Sequence, residues 1–234
     1  MYAINHYYAD DRMGDLIGRQ YALLLVMVRF GIPLGVADRT IAEVCRDSGV
    51  DLETFLAVVN LLVDEENFEL VPQAISLPTL VKYLHTSHDY FLNYRLPQIR
   101  SRLEQALAAC GQPDQLQSLV MQYFDEYVQE VQNHMDYEDH KVFQYVEDLL
   151  AGRAARDGYH IGIFSSRHDH VEERLVELKD IILKYIVTPS THELNAVLFD
   201  IFACSDDLAS HNSVEDNLFV PVIRYYETGR ETHD

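Results

Sequence analysis

The chain has 234 residues, enough for one large or two small domains with a proper core, and its 48% hydrophobic and 24% charged content is that of an ordinary globular protein. Its net charge of -20, from 18 Lys and Arg against 38 Asp and Glu, argues against nucleic acid or an anionic membrane as partner, because those surfaces require clustered basic side chains. Met1 to Asp15 hold no apolar stretch behind a basic start, and the longest apolar run, Ala22 to Val28, is far too short to span a bilayer, so no membrane association and a cytoplasmic location are expected. Cys45, Cys110 and Cys204 are scattered and suggest neither a disulfide framework nor a Cys-x-x-Cys site.

Gly14 to Val28 and Asp38 to Leu62 read as helices around the loop Gly31-Ile32-Pro33-Leu34-Gly35. The acidic Asp64-Glu65-Glu66, then Val71-Pro72 and Leu77-Pro78, mark a break. Four longer segments follow with apolar residues at helical spacing: Thr79 to Ala109, Asp114 to Leu150, Phe164 to Ile186, and Ser190 to Tyr226. Their separators are Cys110-Gly111-Gln112-Pro113, Gly152 to Gly162, and Val187-Thr188-Pro189. The expected fold is all-α: a small helical N-terminal domain (1–66), a linker (67–77), and an antiparallel up-down four-helix bundle (78–228).

Two His-x-x-x-Glu pairs, His134/Glu138 and His211/Glu215, lie in the second and fourth of these helices, each followed closely by a phenylalanine, Phe143 and Phe219. A four-residue interval puts imidazole and carboxylate on one helix face, so each pair addresses one point. With 11 His and Glu at about one position in fourteen, about one such pair is expected by chance on helical spacing; three occur, the third being His168/Glu172. The first helix carries His85 and His88. Of these His88 is preferred, being followed by Asp89 and closer to Leu96-Pro97. At about 1.5 Å per residue, His88 and His134 lie nearly level across the Cys110–Pro113 turn, as do His168 and His211 across Pro189. The loop from Gly152 to Gly162 must run partway back along the bundle.

His6, His140, His160, His170, His192 and His233 are read as ordinary surface or hydrogen-bonded residues. Burying Glu138 and Glu215 among Val142, Phe143, Leu218 and Phe219 instead demands a compensating cation. Imidazole and carboxylate without thiolate suit iron or manganese, and also accept zinc. Two carboxylates able to bridge favour a pair of metals.

The blocks HDYFLNYRLPQI, HMDYEDHKVF, SRHDHVEERL and HNSVEDNLFVPVI resemble the hemerythrin-like domain of the Repair of Iron Centers proteins, over roughly Thr79 to Arg224. The resemblance implies His88, His134, Glu138, His168, His211 and Glu215 as ligands of two non-haem irons, with Glu138 and Glu215 bridging. His88 stands one residue further from Leu96-Pro97 than the family spacing has it. The segment MGDLIGRQYALLLVMVRFGIPLGVADRTIAEVCRDSGVDL resembles the small domain that precedes the bundle in those proteins. Where the family usually carries a Cys-Cys-Gly-Gly turn, this chain reads Ile32-Pro33-Leu34-Gly35, and any step the family assigns to those thiols is in question here. Cys45, on the following helix, is a poor substitute.

The resemblance implies a protein that meets nitric oxide or oxygen and protects or repairs iron-sulfur centres, with damaged iron-sulfur proteins as partners. A second reading, favoured by the missing thiols, is a di-iron gas or redox sensor that signals through a partner or an output domain. A helix-turn-helix reading of TIAEVCRDSGVDLETFLAVVNLL fails on charge, because Leu52 to Val63 contains no Lys or Arg.

Overall fold

The computed structural model describes residues 6–231 except 37, 112, 154–157, 166–171 and 187–191. Among these residues the fold is an all-α helical bundle, with one isolated antiparallel bridge, Arg12 to Thr40, and no strand.

Four short helices begin the chain: α1 (Met13–Arg19), α2 (Leu23–Arg29), α3 (Ile41–Ser48) and α4 (Leu52–Val63). The sequence predicts two longer ones here, and each divides. Gln20 leaves helical geometry at φ -129° and ψ 72°, ending α1. Gly49 takes the left-handed conformation at φ 65°, which glycine adopts without a Cβ penalty, and the Val50 amide turns back to the Cys45 carbonyl at 2.9 Å. Asp51 then caps the next helix by accepting from the Thr54 amide at 2.9 Å. Val50 and Leu52 prolong the apolar periodicity across this corner, which is why the pattern alone hides it. At the start of α3, Thr40 and Glu43 form a reciprocal capping box.

The long helices follow as α5 (Leu77–Tyr90) and α6 (Leu96–Ala109), α7 (Asp114–Tyr137) and α8 (Phe143–Leu150), the short α9 (Ile161–Ser165), α10 (Glu172–Tyr185), and α11 (His192–Val214) and α12 (Val220–Glu231). Three of the expected continuous helices contain a five-residue π-helical turn, at Phe91–Arg95, Glu138–Val142 and Glu215–Phe219. Such single turns inside α-helices are frequent at functional sites. Two have a covalent cause. Pro97 and Pro221 each sit two residues past a π turn, lack the N–H of an α-helical bond, and would press their rings on the carbonyl four residues back. Widening the preceding turn relieves both problems. Of the third expected helix, Phe164 to Ile186, the described parts are helical, in α9 and α10, and 166–171 lie outside the described residues.

By density of contacts the chain forms two compact units. One comprises 1–87, 142–167 and 213–234. In it, Phe30 packs on Phe55 and Tyr83 at ring separations of 5.4 and 4.7 Å, and Phe143 meets Phe219 edge-on at 5.8 Å. Asn60, buried, holds the Tyr7 backbone from both sides, accepting from its amide at 2.7 Å and donating to its carbonyl at 3.0 Å. Phe55, Val58, Val59 and Leu61 of α4 are buried, so that helix contributes to the core of this unit.

The other unit comprises 88–141 and 168–212. Its core runs from Phe91, Leu96 and Leu103 through Phe124 and Tyr127 to Leu178, Ile201 and Leu208. Burial of each such side chain contributes about 1.5–3 kcal/mol, and the tight Cys110–Pro113 connection makes α6 and α7 antiparallel neighbours. Arg95 pairs with Asp200 at 3.2 Å, and Arg102 reaches the same carboxylate.

Candidate metal centre

His88 and His211 are buried, and Glu138 and Glu215 are completely so. Each of the four offers one ligand atom, and those atoms all lie within 4.8 Å of one another, close enough to hold a metal ion. Two come from one helix: Glu215 stands one turn beyond His211, opening the π turn at Glu215–Phe219. Glu138 likewise opens the π turn at Glu138–Val142, one turn beyond His134. The four-residue spacing therefore acts as the sequence implies, and the π turn begins at the carboxylate each time.

The Glu138 carboxylate is held between two imidazoles. Its Oε2 lies 3.0 Å from His88 Nε2, and its Oε1 lies 3.0 Å from His134 Nε2. On its other edge, His88 has Nδ1 2.8 Å from Asp139 Oδ1. With Nδ1–H donating to Asp139, neutral His88 presents a lone pair at Nε2, and Glu138 Oε2 presents another. Two such atoms 3.0 Å apart, away from water, attract only when a positive charge sits by them. His88 and His211 face each other at 5.2 Å between ring centres, and Phe91 closes on His211 edge-to-face at 5.9 Å. The donor set, two imidazoles and two carboxylates with no thiol or lysine, fits a metal cation, and iron or manganese better than a thiophilic metal.

Five of the six ligand candidates named from the sequence are described. His88, Glu138, His211 and Glu215 come together; His134 adjoins Glu138, its side chain only 12% exposed. His168 lies outside the described residues, as does the side chain of Glu172. His85 is exposed, whereas its rival His88 is in the cluster. Tyr137, next to Glu138, is partly buried.

One functional residue escapes the sequence reading. Asp89 was the carboxylate expected to favour His88, yet it accepts from Asn93 at 2.8 Å, and the carboxylate on His88 is Asp139. Its signal is its place directly after Glu138 in the motif. No cysteine stands in the described cluster. Cys45 is buried, and burial reinforced by the Asp51 charge pushes its pKa up from 9.0 to about 12. At neutral pH it keeps its proton.

No curated protein matches this chain. Among the described residues, no helix is long and apolar enough to cross a membrane. Residues 79–223 match the Hemerythrin family, described as the hemerythrin HHE cation binding domain. That stretch spans more than half of the chain and contains the whole buried His and Glu cluster, so the chain belongs to the hemerythrin HHE family.

Proposed function

We propose that the protein is a non-haem di-iron protein of the Repair of Iron Centers type, which binds nitric oxide or oxygen in the cytoplasm and acts on damaged iron-sulfur centres under nitrosative or oxidative stress. The observation that carries the metal reading is the pair of fully buried carboxylates, Glu138 and Glu215, set among His88 and His211 within 4.8 Å. His88, His134, Glu138, His168, His211 and Glu215 would hold the two metals, with Glu138 and Glu215 as the shared carboxylates and residues 78–228 as the bundle that carries them. When bound, a reduced iron pair supplies coordination positions for a diatomic gas.

The chain's own residues then have definite tasks. Asp139 fixes the His88 ring and keeps the proton on Nδ1, leaving Nε2 for the metal. Phe91, buried and edge-on to His211 at 5.9 Å, shields that imidazole from water.

Sensing is the second reading, and Cys45 favours it. Repair through thiolates needs an accessible cysteine of low pKa, whereas residues 1–66 offer Ile32-Pro33-Leu34-Gly35 in place of the cysteine turn and a buried thiol at about 12. The two readings separate in one assay. The iron-loaded protein is incubated with a nitric oxide-damaged iron-sulfur enzyme, with and without nitric oxide bound to the protein itself. Restored enzyme activity supports repair; a change only in the protein's own hydrodynamics or protease sensitivity on gas binding supports sensing. Absence of any nitrosyl absorbance in the reduced protein contradicts both.

A further inference from the structure

We propose that the face shared by α10 and α11 docks a second copy of this chain, forming a two-fold dimer. Val176 and Leu183 lie two turns apart on α10, and Phe199, Phe202 and Asp206 recur at intervals of three and four on α11, so each set shares one helix face. The Lys179 ammonium stands over the Phe202 ring at 4.9 Å, which puts the two faces side by side. Both belong to the same compact unit.

The area suits a pair of equal partners. Phe199 is 74% exposed, Leu183 61%, Val176 42% and Phe202 40%. At about 150–250 Å² for a whole aromatic side chain and somewhat less for an aliphatic one, these four leave about 400 Å² of apolar surface in water. A standard interface covers about 800 Å² on each partner, of which a little over half is apolar. This face, with the exposed Ala203 next to Phe202, therefore supplies what one copy must contribute to a stable pair.

Charge selects the occupant. At a net charge of -20, two copies repel unless they meet where acidic groups are matched. Among the apolar residues of this face stand one cation, Lys179, and one exposed anion, Asp206, a turn beyond Phe202; neither enters an ion pair among the described residues. Asp180, at the border, is already paired with Lys184 at 3.8 Å. A two-fold axis that bisects the line from Lys179 to Asp206 sets each lysine against the other copy's aspartate and brings Phe202 near its symmetry mate. A strongly acidic or basic partner would leave one of these two charges opposed, whereas a second copy matches both. None of these residues belongs to the His and Glu cluster, so the proposal stands apart from the metal reading.

The test is sedimentation velocity on the full chain as purified, at concentrations up to about 100 μM, well above a micromolar dissociation constant. The parent should run at twice the mass of one chain, and Phe199→Glu should run as a monomer with an unchanged circular dichroism spectrum. Lys179→Asp and Asp206→Lys should each raise the dissociation constant about tenfold by opposing like charges, and the double variant, which restores opposite charges, should return it toward the parent value. Phe202→Glu should also give a monomer; if it unfolds, Phe199→Glu and the charge exchange decide the matter. A parent that stays monomeric, including one whose exposed phenylalanines are covered by a different protein, would overturn the proposal. So would a dimer indifferent to Phe199→Glu, or a double variant no tighter than the single ones.

Discussion

His88 and Asp139 are joined at 2.8 Å between Nδ1 and Oδ1, while the opposite nitrogen of the same ring lies 3.0 Å from Glu138. Two adjacent residues of one π turn thus grip both edges of one imidazole. Asp139 is partly exposed, so replacing it leaves the core intact. Asp139→Ala should lower metal affinity about 10- to 100-fold with unchanged helicity, measured by competition with a chelator. Unchanged affinity would make Asp139 a surface hydrogen bond only.

Glu138 and Glu215 predict opposite effects on stability with and without metal. In the metal-free protein two buried carboxylates repel, so Glu138→Gln or Glu215→Gln should raise its melting temperature by a few degrees. In the loaded protein the same changes should remove at least one metal and lower the melting temperature. A variant that melts lower in both forms would show these carboxylates to be structural rather than metal-directed.

Chelation should destabilise the parent protein. A metal present at about 1,000 times its dissociation constant contributes about 4 kcal/mol, lost when it is stripped. Calorimetry before and after treatment with a chelator reads this directly, and coincident melting curves would argue against a resident metal.

The π turn at Phe91–Arg95 makes room for one residue more than an α-helix would between His88 and Leu96. Deleting the exposed Asn93 should therefore restore α-helical geometry, keep the helicity and the packing of Leu96 and Ile99, and draw His88 about 1.5 Å along the helix axis, out of level with Glu138. Metal per chain should fall with far-ultraviolet circular dichroism unchanged. Full metal retention would show the π turn to be incidental.

Cys45 supplies a pH dependence. The folded protein holds this thiol's proton up to about pH 12, against 9.0 ordinarily, so the folded state binds that proton more tightly than the unfolded chain. Its contribution to stability is complete below pH 9 and is lost as pH rises from 9 toward 12. Thiol titration with an aromatic disulfide at pH 8 should modify the half-buried Cys110 first and leave Cys45 untouched until denaturant is added. Rapid labelling of Cys45 in the native state would contradict its burial.

Much of the centre was legible because its residues obey local rules. A four-residue interval fixes His134 with Glu138 and His211 with Glu215 on one face whatever else surrounds them, and both phenylalanines that follow meet in the fold at 5.8 Å. The turn from Cys110 to Pro113 was legible from glycine and proline chemistry. The π turns were not, because hydrophobic periodicity passes through a one-residue widening almost unchanged. Pro97 and Pro221 were their visible trace, and the extra residue between His88 and Leu96 was another. Asp139 was hidden for a related reason: on a regular helix it points some 100° from Glu138, and only the contact with the other helix brings it to His88. The break at Gly49 was masked by apolar residues on both sides of it.

Elemental analysis of iron, manganese and zinc per chain, on protein purified without chelator and again on Glu138→Ala and Glu215→Ala, addresses the dinuclear centre most directly. About two irons per parent chain, with at least one lost from each variant, is the expected result for a carboxylate-bridged pair. Two metals retained by both variants, or a folded parent that takes up no metal on reconstitution, would contradict it.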